Sequence, residues 1–327
     1  MKILIVKTSA LGDILHTFPA VNYLQSQVPH AEIEWVVEKA CAPLIENLYK
    51  LHIIDTKKWR HNIFSSWKEV KISIANLRKT IYDVIFDFQG NTKSGIICSL
   101  TKSKLKVGFG KRTVSEPLNL LFTEMKVDPE EGLNIRQEYL SLVEAWVGKK
   151  APQIPIIKKE SKLSQVMVCP GSKWKNKQLP ESTLVSFLQE IQDKTKCKLW
   201  ILQGNNEEKK LAELIQSQLD HAEVVQSLSL SELKNFMQEM DSVISMDSFP
   251  LHLAGELGIP TFAFFGPSLA EKYSPEGERH QSIQGACPYF RTFDKRCPLL
   301  RTCSSGACMK NIEATALAKK FLKTFQN

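Results

Sequence analysis

A glycine and an acid, Gly12 and Asp13, stand where the apolar run ILIV should pass from a strand into a helix. A carboxylate on a rigid strand–turn–helix unit can act as a general base, because the backbone fixes its position and leaves it accessible. The plainer interpretation is that Asp13 caps or begins the helix. This stretch alone leaves both interpretations open.

A lysine-rich turn and a helix start are the candidates for binding phosphate. In PGSKWKNKQLP, the hydroxyl of Ser172 precedes three lysines at alternate positions, of which Lys177 is the last. Such lysines can neutralise a diphosphate leaving group, although loop lysines usually only keep a loop solvated. In MDSFPLHLAG, Asp247 and Ser248 precede a proline that suits a first helical turn. We expect a helix there whose N-terminus binds an anion, unless one of the pair simply caps it.

Two further positions could recognise a nucleotide, on weaker grounds. The stretch QGNNEE ends a strand, and Glu207 or Glu208 stands where a carboxylate could bind ribose hydroxyls. His252, taken alone, is expected to pack rather than to react. The phosphate loops GxGxxG and GxxxxGK[ST] do not occur, which argues against a dinucleotide oxidoreductase and a P-loop NTPase. No DxD-like acidic pair stands beside the lysines to hold a metal ion.

Cysteines crowd together near the end of the chain, in a stretch that we call the cysteine segment (residues 287–308). Four thiols interrupted by prolines could hold structural zinc or iron. The spacing has no CxxC pair, so reduced thiols without a ligand are the other interpretation. The four are Cys287, Cys297, Cys303 and Cys308. The remaining cysteines lie in apolar surroundings and are predicted to be core residues.

Length and charge narrow the class of protein. A chain of 327 residues is longer than one ordinary core, so we expect two domains. Its 43 basic and 35 acidic side chains give a net charge of +8, which favours anionic small molecules or lipid, and not nucleic acid, as partners. The apolar run near the N-terminus is too short for an export signal, and no stretch is long enough to span a membrane. We expect a cytoplasmic protein whose contact with a membrane is peripheral.

Basic residues concentrate in KKWRHNIFSSWKEVK, residues 57–71, which we call the basic segment. It begins with Lys57, Lys58 and Arg60, and tryptophans are interleaved among its charges. One interpretation is a solvated helix face with the tryptophans packed inward. The other is a lip that receives an anionic acceptor at a membrane surface.

Strands and helices alternate along the chain, which predicts parallel sheets with crossover helices. A Lys- and Pro-rich stretch after Gly148 is the best linker candidate. We therefore predict an α/β protein of two doubly wound, Rossmann-like domains with a cleft between them. Ligands bind such sheets at the carboxyl ends of the strands. The loops expected at that edge are residues 8–13, 170–177, 204–208 and 246–252.

Seven stretches, in order along nearly the whole chain, resemble the ADP-heptose:lipopolysaccharide heptosyltransferases of glycosyltransferase family 9, and the N-terminal half is most similar to the type I enzymes. The stretches are ILIVKTSALGDILHTFPA, EWVVE, KKWR, DFQGNTKSG, SEPLNLLF, PGSKWKNKQLP and MDSFPLHLAG. The resemblance implies a GT-B fold, with an acceptor-binding domain of residues 1–155 and a donor-binding domain of residues 163–327. It leaves open that the final helix packs back on the first domain.

The resemblance also implies roles for individual residues. Asp13 corresponds to the base that deprotonates the acceptor hydroxyl, and Lys177 to the lysine that binds the donor phosphates in catalysis. The acceptor-binding residues would be Lys57, Lys58 and Arg60, next to acidic Kdo sugars. The donor-binding residues would be Gly12, Ser172, Lys177, Glu207, Asp247, Ser248, Leu251 and His252.

The implied reaction is an inverting transfer of L-glycero-D-manno-heptose from ADP-heptose to Kdo of lipid A, without a required cofactor, at the cytoplasmic face of the inner membrane. A related transferase acting on the second core heptose or on a protein, and a non-catalytic membrane-surface binding protein, are the alternatives. The sequence departs from the family at Phe249, where glycine is usual, and at Ser115, Asn134 and Glu138. These departures bear on the donor pocket and on acceptor contacts.

Overall fold

Apolar runs of the sequence form the central strands of two parallel β-sheets. The structure is a computed structural model that describes residues 1–56, 58, 63–152 and 163–325, with the backbone alone for residues 63–68. The chain divides into two units, Met1–Gln153 and Ile154–Asn327. The division falls within the predicted linker, most of which lies outside the described residues.

The first unit contains one six-stranded sheet in the order β3-β2-β1-β4-β5-β6, with every pair parallel. Strands β2, β1 and β4 at its centre are buried along most of their length, as expected where helices cover both faces of a parallel sheet. The strands are β1 Lys2–Val6, β2 Glu32–Glu38, β3 Lys50–Ile54, β4 Ile81–Asp87, β5 Lys102–Phe109 and β6 Met125–Val127.

The second unit repeats this topology with the order β12-β11-β10-β7-β8-β9, again with every pair parallel. Counted from its own first strand, each unit has the Rossmann order 3-2-1-4-5-6. The strands are β7 Gln165–Cys169, β8 Lys198–Ile201, β9 Ala222–Val224, β10 Ser242–Met246, β11 Thr261–Phe265 and β12 His280–Gln284.

Helices connect the strands, and some of them begin or end where the sequence predicts. Ser229 and Glu232 form the predicted capping box, and Gly148 ends its helix with a φ of 76°. The α-helices are Leu11–Leu15, Phe18–Gln27, Ile63–Arg78, Thr92–Leu100, Ile135–Val147, Glu181–Thr195, Asn206–Ser217, Leu230–Gln238, Phe249–Glu256, Ala270–Tyr273, Ala307–Lys310 and Ala314–Phe325. Short 3₁₀ helices cover Lys39–Leu44, Pro117–Leu121 and Lys175–Lys177.

The sequence after β1 forms two helices. The first ends at Leu15, residues 16–17 form a turn, and the second begins at Phe18 with Pro19 in its first turn. The final helix packs its apolar face on the second unit, and a contact with the first domain stays a prediction. Phe321 is fully buried against Phe187 and Phe262 of the second unit, with ring centroids 6.0 and 5.4 Å away.

None of the helices in the described ranges has the length and apolarity that crossing a bilayer requires.

A buried polar cluster lies in the sheet of the first unit and gives it a pH-dependent stability. The carboxylate of Glu34 accepts hydrogen bonds from Lys50 at 2.7 Å and Tyr82 at 2.6 Å, and lies 2.5 Å from Nε2 of His52. Burial alone would raise the pKa of Glu34, but its hydrogen-bond partners lower it from 4.5 to about 2. The folded protein therefore favours the ionised form more than the unfolded chain does.

We expect Glu34→Gln to lower the free energy of unfolding at neutral pH by up to roughly 3 kcal/mol. Because the folded pKa is depressed, this contribution is complete above pH 4.5 and is lost as the pH falls towards 2. Denaturant unfolding at several pH values should show a shallower acid dependence in the variant. Glu32→Gln is the matched control. Glu32 lies on the same strand as Glu34, but its ion pair with Lys2, at 3.5 Å, is exposed. An equal loss of unfolding free energy in both variants would contradict the prediction.

Candidate active site

The predicted site residues follow strands that lie at the switch point of each sheet, where the strand order reverses. In the first unit β1 and β4 are neighbours, and Asp13 follows β1. In the second unit β7 and β10 are neighbours, and Lys177 and Asp247 follow them respectively. Crevices at these positions are where open parallel sheets bind ligands, so each unit presents its candidate residues at the expected edge.

The centre of the second unit's site is a buried ion pair between Lys177 and Asp247. Nζ of Lys177 lies 2.5 Å from Oδ2 of Asp247, and the two side chains are 10% and 8% exposed. Ser268 donates a hydrogen bond to the same carboxylate oxygen, while Nε2 of His252 lies 3.4 Å from Oδ1. Asp247 thus holds the lysine in place, and Lys177 is the buried one of the three loop lysines predicted to bind phosphate.

The charge of Asp247 is stabilised by these neighbours. Burial would raise the pKa of Asp247, but the hydrogen bond from His252 and the positive charge of Lys177 hold it well below its usual range. A buried charge that is paired and hydrogen-bonded costs far less than an isolated one. The cluster therefore fixes the ammonium group of Lys177 at the edge of the sheet.

The helix Phe249–Glu256 begins two residues after Asp247, as the sequence predicts. Ser248 is its N-cap residue, and Pro250 lies in its first turn. The Ser248 hydroxyl donates to the carbonyl of Met246 at 3.3 Å, so it does not cap the helix with its side chain. Pro250 has no N–H and that of Leu251 donates to the carbonyl of Ser248, so the N–H of Phe249 is the first-turn donor that an anion could use. Phe249, the family departure, is partly exposed as the first helical residue.

Other predicted donor-binding residues lie beside the cluster with different exposure. The hydroxyl of Ser172 is 3.5 Å from the carbonyl oxygen of Asp247, so the lysine loop adjoins the start of the helix. Leu251 is fully buried, and its N–H donates to the carbonyl of Ser248. Any effect of Leu251 on a ligand therefore passes through packing beneath the helix.

The two candidates for ribose binding differ clearly. Glu207 is exposed, and its carboxylate lies 3.6 Å from Nζ of Lys175. Glu208 instead accepts the N–H of Gly204 at 2.7 Å, and its carboxylate fills the space beside Gly171, where a Cβ would come within 2.4 Å of it. Glu207 is the carboxylate with room for a ligand, and its role stays a prediction.

In the first unit, Asp13 lies in the first turn of the helix Leu11–Leu15 and is partly exposed. Its Oδ2 accepts the backbone N–H of Ala10 at 3.2 Å. Gly12 is the second residue of the same helix, and its carbonyl accepts the N–H of His16 at 3.1 Å. The structure thus places Gly12 inside a helical turn of the first unit, next to Asp13, and its donor-binding role stays a prediction.

The predicted acceptor-binding residues are described only in part. Lys57 and Arg60 lie outside the described residues. Nζ of Lys58 lies 2.5 Å from Oε1 of Glu69, and both side chains are 50% exposed. An ion pair this exposed is worth little in stability, so Lys58 can exchange Glu69 for another anion at small cost.

The cysteine segment does not form a metal-binding group in the part of the chain that the structure describes, where no three His, Cys, Asp or Glu side chains are placed to hold an ion. All four of its thiols are half-buried. Burial and the neighbouring thiols raise the pKa of Cys308, whereas hydrogen bonds from Ser305 and Gly306 lower the pKa of Cys303. The predicted zinc or iron site is therefore not supported. The other four cysteines are buried, as predicted.

The cysteine segment contacts the lysine turn instead. The side-chain amide of Asn176, between two of the loop lysines, donates to the carbonyls of Leu300 at 2.8 Å and Cys303 at 3.2 Å. A Cβ at Gly306 would come within 3.2 Å of the Asn176 backbone. The segment thus braces the turn that carries Lys177.

Sequence reasoning missed two residues of these sites. Ser268 follows the strand β11, and the stretch GPS at its carboxyl end is a usable signal. Gln89 follows β4 and accepts hydrogen bonds from the loop that leads to Asp13. It lies within the stretch DFQGNTKSG, whose resemblance to the family implies no role for Gln89.

Comparison with known proteins gives one family. The model described as glycosyltransferase family 9 (heptosyltransferase) matches residues 73–302. Lipopolysaccharide heptosyltransferase 1 of Campylobacter coli is 28% identical over 297 residues, covering 81% of this chain and 84% of the relative.

Solved structures of two E. coli proteins have the same fold over their whole length. Heptosyltransferase WaaC, solved with ADP, superposes with a TM-score of 0.83 at 21% identity and covers 99% of this chain and 100% of its own. ADP-heptose lps heptosyltransferase II gives a TM-score of 0.69 at 16% identity, covering 100% and 99%. The α/β fold of two Rossmann-like domains, the GT-B class, is confirmed.

Proposed function

Because this chain belongs to glycosyltransferase family 9, the heptosyltransferase family, we propose that it transfers L-glycero-D-manno-heptose from ADP-heptose to a Kdo residue of lipid A in lipopolysaccharide core synthesis. Similarity to heptosyltransferase 1 of Campylobacter coli supports this choice of acceptor over the second core heptose. The proposed reaction inverts the anomeric carbon and uses no metal ion.

The proposed chemistry needs one base and one site of positive charge. Asp13 takes the proton of the acceptor hydroxyl as its oxygen forms a bond to the anomeric carbon of heptose. The bond between that carbon and the phosphate oxygen breaks, and ADP leaves with the electron pair. The transition state resembles an oxocarbenium ion, so attack on one face and departure from the other give inversion.

The negative charge that develops on the diphosphate is met by the chain itself. The ammonium of Lys177 is held in place by Asp247, and the helix after Ser248 offers the N–H of Phe249 and the positive end of its dipole. Preorganised positive groups of this kind stabilise a leaving group without a metal ion. In the structure Lys177 is paired with Asp247, so a bound diphosphate would share the lysine with this carboxylate.

The observation that carries the proposal is the buried Lys177–Asp247 pair at the switch point of the second sheet, in a chain of this family that also has Asp13 at the switch point of the first. A protein that only binds a ligand would have no need for a fixed carboxylate at one switch point and a fixed cation at the other.

The test is to incubate the purified protein with ADP-heptose and Kdo₂-lipid A and to look by mass spectrometry for a product heavier by one heptose. Parallel reactions offer an acceptor that already carries the first heptose, and an acceptor protein. A mass gain confined to either of these would replace Kdo with another acceptor. Binding of ADP-heptose without transfer to any acceptor would support the non-catalytic alternative.

Removal of metal ions is expected to leave the rate of heptose transfer unchanged within about twofold, because Lys177 and the helix N-terminus supply the positive charge. The measurement compares initial rates with and without a chelator such as EDTA. A loss of activity that Mg²⁺ or Mn²⁺ restores would contradict the metal-independent mechanism. Metal analysis of the same preparation reports on the cysteine segment separately.

We also propose that the protein works in the cytoplasm at the surface of the inner membrane. The acceptor is a lipid anchored in that membrane, and a net charge of +8 favours approach to its anionic headgroups. Sedimentation with vesicles that contain anionic lipid, at low and high salt, tests this. Binding that does not weaken with salt would argue against an electrostatic contact.

A further inference from the structure

The turn after β4 holds the loop that leads to Asp13. Oε1 of Gln89 accepts hydrogen bonds from the backbone N–H of Thr8 at 3.1 Å and of Ser9 at 3.3 Å, and from the Thr8 hydroxyl at 3.3 Å. Backbone N–H groups can only donate, so the oxygen of the Gln89 amide, and not its nitrogen, must face the loop. Three groups of the loop therefore depend on one side-chain atom.

Gln89 is itself fixed by a buried carboxylate. Asp87 is fully buried, and its Oδ1 accepts the backbone N–H groups of Gln89 at 2.9 Å and Gly90 at 3.0 Å. Its Oδ2 accepts the side-chain amide of Asn119 at 2.7 Å. A turn with this many bonds to a buried group has little freedom, so Gln89 presents its amide in a defined position.

Hydrogen bonds of residues 8–10 connect Gln89 with Asp13. The carbonyl of Thr8 accepts the N–H of Glu38 at 2.9 Å, which fixes the other side of the loop. The N–H of Ala10 donates to Oδ2 of Asp13 at 3.2 Å, and the carbonyl of Ala10 accepts the N–H of Ile14 at 3.0 Å. The carboxylate and the first helical turn are thus attached to the backbone that Gln89 holds.

We propose that Gln89 is a positioning residue for Asp13, which fixes the carboxylate through residues 8–10 without touching the substrate or taking a proton. The proposal rests on the proposed function, because it requires Asp13 to act as the base. It explains why an amide, which offers a carbonyl oxygen without adding a negative charge near Asp13, occupies this turn.

Gln89→Ala removes the acceptor and is expected to lower kcat by about 10- to 100-fold, since a small displacement of a reacting group is costly. The KM for ADP-heptose should stay within about twofold, because the change lies in the first unit and leaves Lys177 intact. Gln89→Glu keeps an oxygen that accepts the same three donors but adds a negative charge near Asp13, so it should recover only part of the lost rate.

Asp241→Ala is the matched control for the loss of hydrogen bonds. Oδ2 of Asp241 also accepts three donors, the N–H groups of Ser164 and Gln165 and the Ser164 hydroxyl. These bonds lie before and at the first residue of β7, at the end opposite to the candidate site. Asp241→Ala should lower the melting temperature by an amount similar to that for Gln89→Ala, yet leave kcat unchanged.

A double-mutant cycle with Asp13→Asn separates a positioning role from a structural one. If Gln89 acts through Asp13, adding Gln89→Ala to Asp13→Asn should cause no further loss of kcat. A further loss as large as in the wild-type background would overturn the proposal, as would a wild-type rate in Gln89→Ala or an equal loss in Asp241→Ala. Failure of the proposed function is distinguishable, because the wild type would then transfer no heptose or Asp13→Asn would keep its rate. Either of those results removes both proposals.

Discussion

Asp13→Asn is expected to lower kcat for heptose transfer by about 10²- to 10⁴-fold, the usual contribution of a positioned general base. The Asn side chain separates the two interpretations of this residue, because its amide oxygen can still accept the N–H that Ala10 donates at 3.2 Å. The start of the helix Leu11–Leu15 should therefore be unaffected. Initial rates with ADP-heptose and Kdo₂-lipid A, together with thermal unfolding, measure the two consequences separately.

Glu232→Gln is the control for this substitution. Glu232 accepts the N–H of Ser229 at 2.8 Å at the start of the helix Leu230–Gln238, so it loses the same charge at an equivalent helical position. It should keep the full rate. If Asp13→Asn also stays within about an order of magnitude of the wild type, Asp13 serves as a cap and the proposed base is wrong.

The central strands of both sheets could be predicted from the sequence, whereas the edge strands could not. Strands such as β1 and β10 are buried on both faces and read as continuous apolar runs. The edge strands β3, with the sequence KLHII, and β12, with HQSIQ, are largely half-buried and mix polar with apolar residues. Without a clear period or a long apolar run, such segments resemble loops.

The positions of the site residues could be predicted from the sequence, but the pairing of Lys177 with Asp247 could not. Strand ends and a helix start indicated Lys177 and Asp247 separately, and the resemblance gave each a role with the donor. That they form a buried pair depends on the parallel neighbours β7 and β10 bringing together residues that are 70 positions apart. Alternate lysines in a loop also give no sign that Lys177 is buried while Lys175 is 84% exposed.

The hydrogen bonds between Gln89 and the loop before Asp13 could not be predicted either, because they too depend on which strands are neighbours. It requires β1 and β4 to lie side by side, although their ends are 81 positions apart in the chain. Sequence patterns indicate which face of a strand is buried, but the turn after it acquires its partners only when the sheet order is set.

Lys177→Met is expected to reduce both stability and catalysis. Loss of the ammonium removes the lysine that pairs with the buried carboxylate of Asp247, which should lower the free energy of unfolding by about 3 kcal/mol or more. Loss of the charge that meets the diphosphate should lower kcat/KM for ADP-heptose by about 10²-fold or more. Lys198→Met is the control, because Lys198 pairs with Glu223 at 2.7 Å on the surface at the amino end of β8. It should cost less than about 1 kcal/mol and leave the rate unchanged.

The double variant Lys177→Met, Asp247→Asn distinguishes the two roles of the pair. With no unpaired charge left in the interior, its free energy of unfolding should return to within about 2 kcal/mol of the wild type. The amide at position 247 can still accept the hydrogen bond from Ser268. Turnover should nevertheless stay lost, because no positive side chain replaces Lys177 at the diphosphate. If heptose transfer returned together with stability, the pair would be structural and Lys177 would have no part in the reaction.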